Sequence, residues 1–360
     1  MTRIVFAGGG TAGHVEPALA VARQWKKSHP DSELIFLGTS SGLEVRLVPE
    51  AGFTLSLITK VRISRKLSPS LLAIPFSLIR SVAQVYKVLK SADLLVGFGG
   101  YVSGPAYLAA RIRRVPIVIH EANARPGIAN RLGALFTQHT AVAYPVDSGK
   151  LSQALLAGLP LRPDVDSAFH GAESNWEKAR SEAKTRIGFS AARPLIFIFG
   201  GSQGSVAINS VIAGARTQLG ADGFQILHSV GSSNQLPESD SNYQAVSYIS
   251  DMATAYLAAD LIISRSGAVS CSEINTLGRY ALFIPLPVGN GEQELNAMSL
   301  VTDSRAEIVA QKDFTSSWLT ENISRLLSAS QKAPVSGSRK DIEASSKMVA
   351  LMEFAIAGGK

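Results

Sequence analysis

The sequence predicts an α/β protein of two similar domains, each built on a parallel sheet and facing the other across a central cleft. Three observations carry that expectation: short apolar runs ending in glycine or another turn signal, helical patterns that follow them, and a second half that repeats the order of the first. In the first half the runs are Arg3 to Gly10, Leu34 to Gly38, Ala92 to Gly100 and Val115 to Glu121. In the second they are Pro194 to Gly201, Ala259 to Gly267 and Tyr280 to Pro287, and the tripeptide at Ala92 to Leu94 recurs at Ala259 to Leu261. Continuous apolar runs, unlike alternating ones, belong to strands covered on both faces, and helices do the covering. Helical patterns read from Pro17 to Trp25, Ser70 to Ser91 and Asn209 to Leu219. Each half is therefore expected to be Rossmann-like, with a glycine-rich turn after its first strand.

The domains are expected at residues 1–160 and 161–340, with the join near Gly158 to Pro163. The polar segment Ala168 to Arg186 enters the second domain. Ser330 to Arg339 is rich in Pro, Gly and Ser and precedes a last helical pattern over Asp341 to Ala357. That segment, 341–360, is expected to pack back toward the N-terminal domain.

Hydrophobic residues make up 46% of the chain and charged ones 18%, which excludes a disordered or fibrous chain. Cys271 is the single cysteine, so no internal disulfide forms and no thiolate metal site is built; a reducing cytoplasmic setting fits. The longest uncharged stretch, Pro194 to Ala215, is interrupted by Gly200 to Ser205, so no bilayer-spanning helix is expected. Met1 to Ala7 reads as a first strand and not as a leader. Charge is unevenly placed: residues 1–160 hold 18 basic and 8 acidic side chains, residues 161–360 hold 17 and 20. The first half is expected to meet an anionic partner.

The turn Gly8 to Gly13 satisfies G-x-G-x-x-G, yet Leu34 to Gly38 is followed by Thr39 and Ser40 where a nicotinamide enzyme needs an acidic residue on the ribose. The turn reads instead as a holder of an anion or an oxygen-rich group at a helix N-terminus. Gly200 to Ser205 repeats the device with hydroxyls, and the missing Gly-Lys-Ser/Thr excludes a P-loop NTPase. Ser266 to Glu273 adds a third polar loop whose carboxylate suits two sugar hydroxyls; the first turn of a helix would equally favour an acid at that place.

Taken together, Gly9 to His14, Gly99 to Pro105, His120 to Asn123 with Pro126, Gly127, Asn130 and Arg131, Gly200 to Gly204, Arg265 to Ala268, and Gln293 with Asn296 and Ala297 resemble the MurG family of peptidoglycan N-acetylglucosaminyltransferases. The resemblance runs in the family's order from residue 1 to about 310. It implies a two-domain GT-B fold and transfer of N-acetylglucosamine from UDP-N-acetylglucosamine to undecaprenyl-diphospho-muramoyl-pentapeptide, lipid I, giving lipid II. It implies donor contacts at Thr11, Ala12, Gly13, Asn123, Arg162, Ser202, Ile249, Ala268, Val269, Ser270, Glu273 and Gln293, and acceptor contacts at Gly10, Gly99, Gly100 and Tyr101. It also allows contacts with other cell-wall synthesis proteins, which no motif specifies. The chain departs from the family pattern at Ala122, at Leu159 to Arg162 and at Glu292, which touches peripheral contacts and not the diphosphate site.

Inverting transfer needs a base at the acceptor hydroxyl and stabilisation of the leaving diphosphate. Helix N-termini, Ser202 and Arg162 meet the second need without a metal or cofactor, and Asp164 with Asp166 follows the interdomain turn, away from a strand-end loop. For the base the first candidate is His14, at a helix start that favours its neutral form, with Glu121 as rival base or as the group that orients the acceptor. Packing or capping is the alternative role of His14. Ten basic residues and one acid lie between Lys60 and Arg114. On the Ser70 to Ser91 helix an apolar arc runs through Leu72, Phe76, Ile79, Val82 and Tyr86. Most of that arc is expected to be core, while Leu67, Leu71 and Phe76 among Arg62, Arg65 and Lys66 are expected to meet anionic lipid at the cytoplasmic face of the cell membrane, as a peripheral protein. Nucleic acid is not an expected partner, because the basic stretch lacks interleaved aromatics. A soluble UDP-sugar 2-epimerase of like architecture and a non-catalytic nucleotide-binding protein are the competing classes.

Overall fold

The computed structural model describes residues 1–61, 74–288 and 290–358, and the chain divides into two compact units, Met1–Arg162 with Asp341–Lys360, and Pro163–Lys340. The first unit runs β1 (Arg3–Gly8), α1 (Ala12–Ser28), β2 (Glu33–Gly38), α2 (Glu44–Glu50), β3 (Thr54–Leu57), α3 (Ile74–Val88), β4 (Leu94–Gly99), α4 (Ser103–Arg113), β5 (Ile117–Glu121), α5 (Ile128–Gly133), β6 (Thr140–Val142) and β7 (Leu155–Leu156). Its strands are all parallel in the order β3-β2-β1-β4-β5-β6-β7. Strand order reverses between β1 and β4, so the loops leaving these two strands diverge and open a crevice at their C-terminal ends.

The apolar runs are continuous because both faces of each strand are covered. Ile4, Phe6, Leu34, Phe36, Leu94 and Val96 point to one side, under Val15, Leu19, Ala22 and Trp25 of α1. Val5, Ala7, Ile35, Leu37, Leu95 and Ile117 point to the other, against Val85 and against Ala106, Tyr107 and Ala110 of α4. Phe6 stacks on Phe36 at 4.9 Å between ring centroids.

The second unit runs α6 (Pro163–Ala172), α7 (Trp176–Arg186), β8 (Leu195–Phe199), α8 (Val206–Ala221), β9 (Gln225–Ser229), β10 (Tyr243–Val246), α9 (Met252–Ala258), β11 (Leu261–Ser264), α10 (Ala268–Thr276), β12 (Ala281–Phe283), α11 (Glu292–Thr302), β13 (Ala306–Ile308) and α12 (Ser316–Lys332). The parallel order is β10-β9-β8-β11-β12-β13, with its reversal between β8 and β11. Ile196, Ile198, Ile226, Ile263 and Leu282 pack under Ile208, Ile212 and Leu219 of α8 and Leu319, Ile323 and Leu326 of α12. Asp164 and Asp166 lie in the first turn of α6, where carboxylates meet the positive end of the helix.

The last helix, α13 (Ala344–Ile356), belongs to the first unit, where Met348 and Met352 enter the cluster of Leu19 and Trp25. Asp341 fixes its approach by accepting a hydrogen bond from the Leu159 N–H at 2.9 Å. His29 meets Glu353 at 3.5 Å.

One expectation fails on α3. Its buried side chains are Ser81 and Val85, followed by Leu89; Phe76 is 78% exposed, as expected of the outward end of the arc, but Ile79 is 67% exposed and Tyr86 is exposed as well. The part of the arc expected in the core therefore faces outward at Ile79 and Tyr86. The physical reason is that α3 buries only a narrow stripe against α4 and the sheet, and positions 76, 79, 83 and 86 share the opposite face. On that face Tyr86 is covered by the Arg113 guanidinium, 4.4 Å from its ring centroid. Arg62, Arg65, Lys66, Leu67, Leu71 and Leu72 lie outside the described residues.

Candidate functional site

In the first unit the loops leaving β1, β4 and β5 meet at the crevice. The Ser103 hydroxyl ties two of them, its single proton shared between the carbonyls of Ala7 and Gly99, each 2.7 Å from Oγ. Thr11 precedes α1 in extended conformation with no side-chain cap bond; its hydroxyl lies 3.1 Å from Nδ1 of His14 instead. Gly99 and Gly100 pass beside that ring at φ of 88° and 79°. A Cβ on Gly99 would stand 3.3 Å from His14 Nε2, so glycine here leaves the imidazole its room. Burial lowers the pKa of His14 below the ordinary histidine value, while the Glu121 and then the Glu44 carboxylates pull it upward. The ring is neutral at neutral pH.

Tyr101 packs its ring over Gly10, whose φ is 98° and whose Cβ, if present, would lie 2.5 Å from Tyr101 Cε1. Its phenol is pushed up to about 12, chiefly by burial, and stays a donor. The Lys60 ammonium lies 4.9 Å from the centre of the same ring.

Glu121 is buried and its carboxylate is fully used. Oε1 accepts from the Asn123 N–H at 2.9 Å and from Asn123 Nδ2 at 3.1 Å; Oε2 accepts from the Gly127 N–H at 2.9 Å and from Asn130 Nδ2 at 3.0 Å. Asn130 in turn accepts from the buried Tyr107 hydroxyl at 2.7 Å. A carboxylate with four donors on it holds the loop from Asn123 to Gly127 in place. His120, beside it, is buried and held neutral, with a pKa near 4 owing to burial.

The second unit repeats the arrangement. The turn Gly200 to Ser205 leaves β8, with Gly201 and Gly204 at φ of 93° and 76°, and Ser205 caps α8 by accepting from the Ile208 N–H. Asn234 donates to the carbonyls of Gln203 and Val230 and braces the turn from the β9 side. Behind it the buried guanidinium of Arg265 donates to Ser205 Oγ, Gln311 Oε1 and the carbonyls of Ile284 and Pro285, all neutral oxygens, so its charge still favours an anion at the turn. Ser202 is half-buried on that turn.

Ala268, Val269 and Ser270 form the first turn of α10. Glu273 is the sixth residue of that helix, not part of its first turn, and its position owes nothing to the helix's positive end; it is buried and accepts from the Tyr256 hydroxyl at 3.1 Å. Asn296 of α11 donates to the Ser266 carbonyl, and Gln293 accepts from the Leu286 N–H at 3.0 Å, so α11 is tied to the loops around it. Ile249 is half-buried between β10 and α9. Gly10, Thr11, Ala12, Gly13, His14, Gly99, Gly100, Tyr101, Glu121, Asn123 and Arg162 belong to the first unit, the others to the second.

The glycosyltransferase family 28 N-terminal domain matches residues 4–142 and the family's C-terminal domain residues 195–352. The chain belongs to glycosyltransferase family 28. Within family 28 it is 43% identical over 332 residues, 90% of this chain and 86% of the relative, to a Thermobifida fusca protein named UDP-N-acetylglucosamine--N-acetylmuramyl-(pentapeptide) pyrophosphoryl-undecaprenol N-acetylglucosamine transferase. A Mycolicibacterium paratuberculosis relative of the same name is 44% identical over 336 residues, 90% of this chain and 80% of its own. The crystal structure of Acinetobacter baumannii MurG superposes with a TM-score of 0.69 at 28% identity, covering 98% of this chain and 99% of that one. The fold is GT-B. A Neisseria meningitidis UDP-GlcNAc 2-epimerase bound to UDP-GlcNAc shares that fold at a TM-score of 0.60 and 14% identity, covering 98% of this chain and 100% of its own.

Two features of this family 28 site escaped the sequence. Glu44 is one, and its signal is a carboxylate two residues after Gly42, at the end of the glycine-bounded turn that leaves Gly38. The saturation of Glu121 was also missed, because its donors come from a loop whose course no periodicity reveals.

Proposed function

We propose that the chain transfers N-acetylglucosamine from UDP-N-acetylglucosamine to the muramoyl-pentapeptide carried on undecaprenyl diphosphate, with inversion at the anomeric carbon. The observation that carries this reading is identity of 43% across 90% of the chain to relatives named for that reaction. The epimerase reading rests on fold alone.

In this mechanism the second unit holds the donor. The Gly200–Ser205 turn, with Ser202 and the α8 N-terminus, receives the diphosphate, Arg265 supplies field from behind, and Glu273, Gln293 and the start of α10 receive the nucleoside and sugar. Thr11, Ala12, Gly13, Asn123 and Arg162 contribute from the first unit. The acceptor hydroxyl attacks C1; the new C–O bond forms as the bond from C1 to the diphosphate oxygen breaks, and UDP leaves. His14 takes the hydroxyl proton. With Nδ1–H donating to Thr11 Oγ1, Nε2 carries the lone pair. Gly10, Gly99, Gly100 and Tyr101 seat the acceptor, and Glu121 organises the loop beside it without accepting the proton.

The acceptor resides in a membrane, and no helix among the described residues is long and apolar enough to cross one. Exposed Phe76 and Ile79 on α3, with the exposed cations Arg80 and Lys87 on the same helix and Lys90, Arg111 and Arg114 elsewhere on the unit's surface, support peripheral binding to an anionic cytoplasmic leaflet. Each cation near such a surface contributes about 1 kcal/mol.

One experiment tests both parts. The protein is given UDP-N-acetylglucosamine with either a short-chain soluble lipid I analogue or lipid I in acidic liposomes, each with and without chelator. Disaccharide is expected from both acceptors, undiminished by chelator. A Phe76→Ser, Ile79→Ser double variant is expected to lose about tenfold on liposomes and little on the soluble acceptor. No disaccharide from either acceptor refutes transfer; an equal loss on both refutes the membrane role.

A further inference from the structure

The crevice of the first unit contains a buried acid that the mechanism above does not use. Glu44 opens α2 and is fully buried. Its Oε2 accepts from the Gly10 N–H at 2.9 Å, and its Oε1 accepts from the Thr39 N–H and from the Tyr101 hydroxyl, each at 2.9 Å. The Tyr101 oxygen is also 3.0 Å from Thr39 Oγ1. These three partners come from the loops leaving β1, β2 and β4, so one carboxylate joins all three. The chain is shaped around this carboxylate: a Cβ on Gly42 would lie 2.0 Å from Oε2, and one on Gly38 2.4 Å from Cγ. A buried carboxylate costs several kcal/mol of desolvation unless donors meet it, so such an arrangement is retained where it fixes geometry.

We propose that Glu44 is a positioning residue for transfer: its carboxylate locks the Gly8–Gly10 turn, the turn at Thr39 and Tyr101 into the arrangement that presents His14 to the acceptor. The proposal rests on the reading of His14 as base. Glu44 also acts on His14 through space, since it is one of the two carboxylates, with Glu121, that pull the imidazole pKa upward. Its partners Gly10, Thr39 and Tyr101 are not among the donor contacts, most of which lie on the second unit's loops.

In Glu44→Gln an amide nitrogen replaces one acceptor oxygen, so a donor faces the Gly10 N–H or the Thr39 N–H. The kcat/KM for the lipid acceptor is expected to fall about tenfold or more, as for an unsatisfied buried donor. The dissociation constant for UDP-N-acetylglucosamine stays within about twofold by the same reasoning. Because a negative charge is removed, the titration midpoint of His14 falls, read by NMR on histidine-labelled protein with the six histidines assigned by single replacement. Combining Glu44→Gln with Tyr101→Phe costs less than the sum of the two, since the side chains touch.

The NMR titration reads the field of Glu44 whether or not His14 takes the proton. A lowered midpoint with an active His14→Ala enzyme thus sinks the base reading and leaves Glu44 acting on the ring. An unchanged midpoint, strictly additive variants, or a donor affinity that falls as far as the acceptor kcat/KM each overturn the Glu44 proposal. Should Glu44→Gln not fold, Gly42→Ala displaces the same carboxylate with its charge kept. It must then lower acceptor kcat/KM and spare donor affinity, and an unchanged acceptor kcat/KM overturns the proposal.

Discussion

Replacing His14 by alanine is expected to lower kcat by about three orders of magnitude, the usual worth of a positioned base. The dissociation constant for UDP-N-acetylglucosamine is expected to stay within about twofold, because Gly200 to Ser205, the turn proposed to receive the diphosphate, lies in the other unit. The pH profile carries the sign. As the proposed base His14 acts as the neutral ring, so its protonation is expected to remove activity as pH falls. Burial sets its pKa below the ordinary histidine value, so the acid limb of kcat in the wild-type enzyme lies below that value, and His14→Ala abolishes the limb. Steady-state rates between about pH 5 and 8 check this. Near-normal kcat with a raised acceptor KM would make His14 a packing residue and not the base.

Glu121→Gln is expected to cost about 3 kcal/mol of stability, measured by urea unfolding, with a tenfold or greater loss of turnover. All four hydrogen bonds on this carboxylate run from donors, so whichever oxygen becomes an amide nitrogen sets donor against donor. One choice frees the Asn123 backbone, the other Gly127 and Asn130, and either lets the loop beside His14 drift. The two variants separate the roles. A Glu121→Gln enzyme of full stability that loses a thousandfold in kcat together with the acid limb would make Glu121 the base.

Much of the fold was legible in the residues because buried parallel strands leave a plain trace. The run from Arg3 to Gly8 is apolar on consecutive positions since Ile4 and Phe6 face α1 while Val5 and Ala7 face α4. Glycine marked the ends of these strands, where loops turn at positive φ. What the sequence concealed depends on who meets whom. Glu44 and Tyr101 are 57 residues apart and meet because β2 and β4 flank β1 on either side, so the loops leaving them converge over the β1 turn. Periodicity shows a sided helix at α3 but not how narrow its buried stripe is: Phe76 faces solvent as expected, and Ile79 and Tyr86 do so as well. Ser266 to Glu273 reads as a polar loop, whereas α10 begins at Ala268 and carries Glu273 as its sixth residue. The cationic residues from Arg62 to Lys66 lie outside the described residues, so the lipid reading now rests on α3 and the end of α4.

The claim on which the account depends is that the sugar nucleotide is held by the second unit and attacked by an acceptor seated on the first. Amide hydrogen exchange with and without saturating UDP-N-acetylglucosamine measures this directly. Strong protection is expected across Gly200 to Ser205 and Ala268 to Glu273, with lesser protection from Thr11 to Gly13. Protection confined to Gly8 to Gly13 and Gly99 to Tyr101, with the second unit's loops exchanging as they do without ligand, would contradict it.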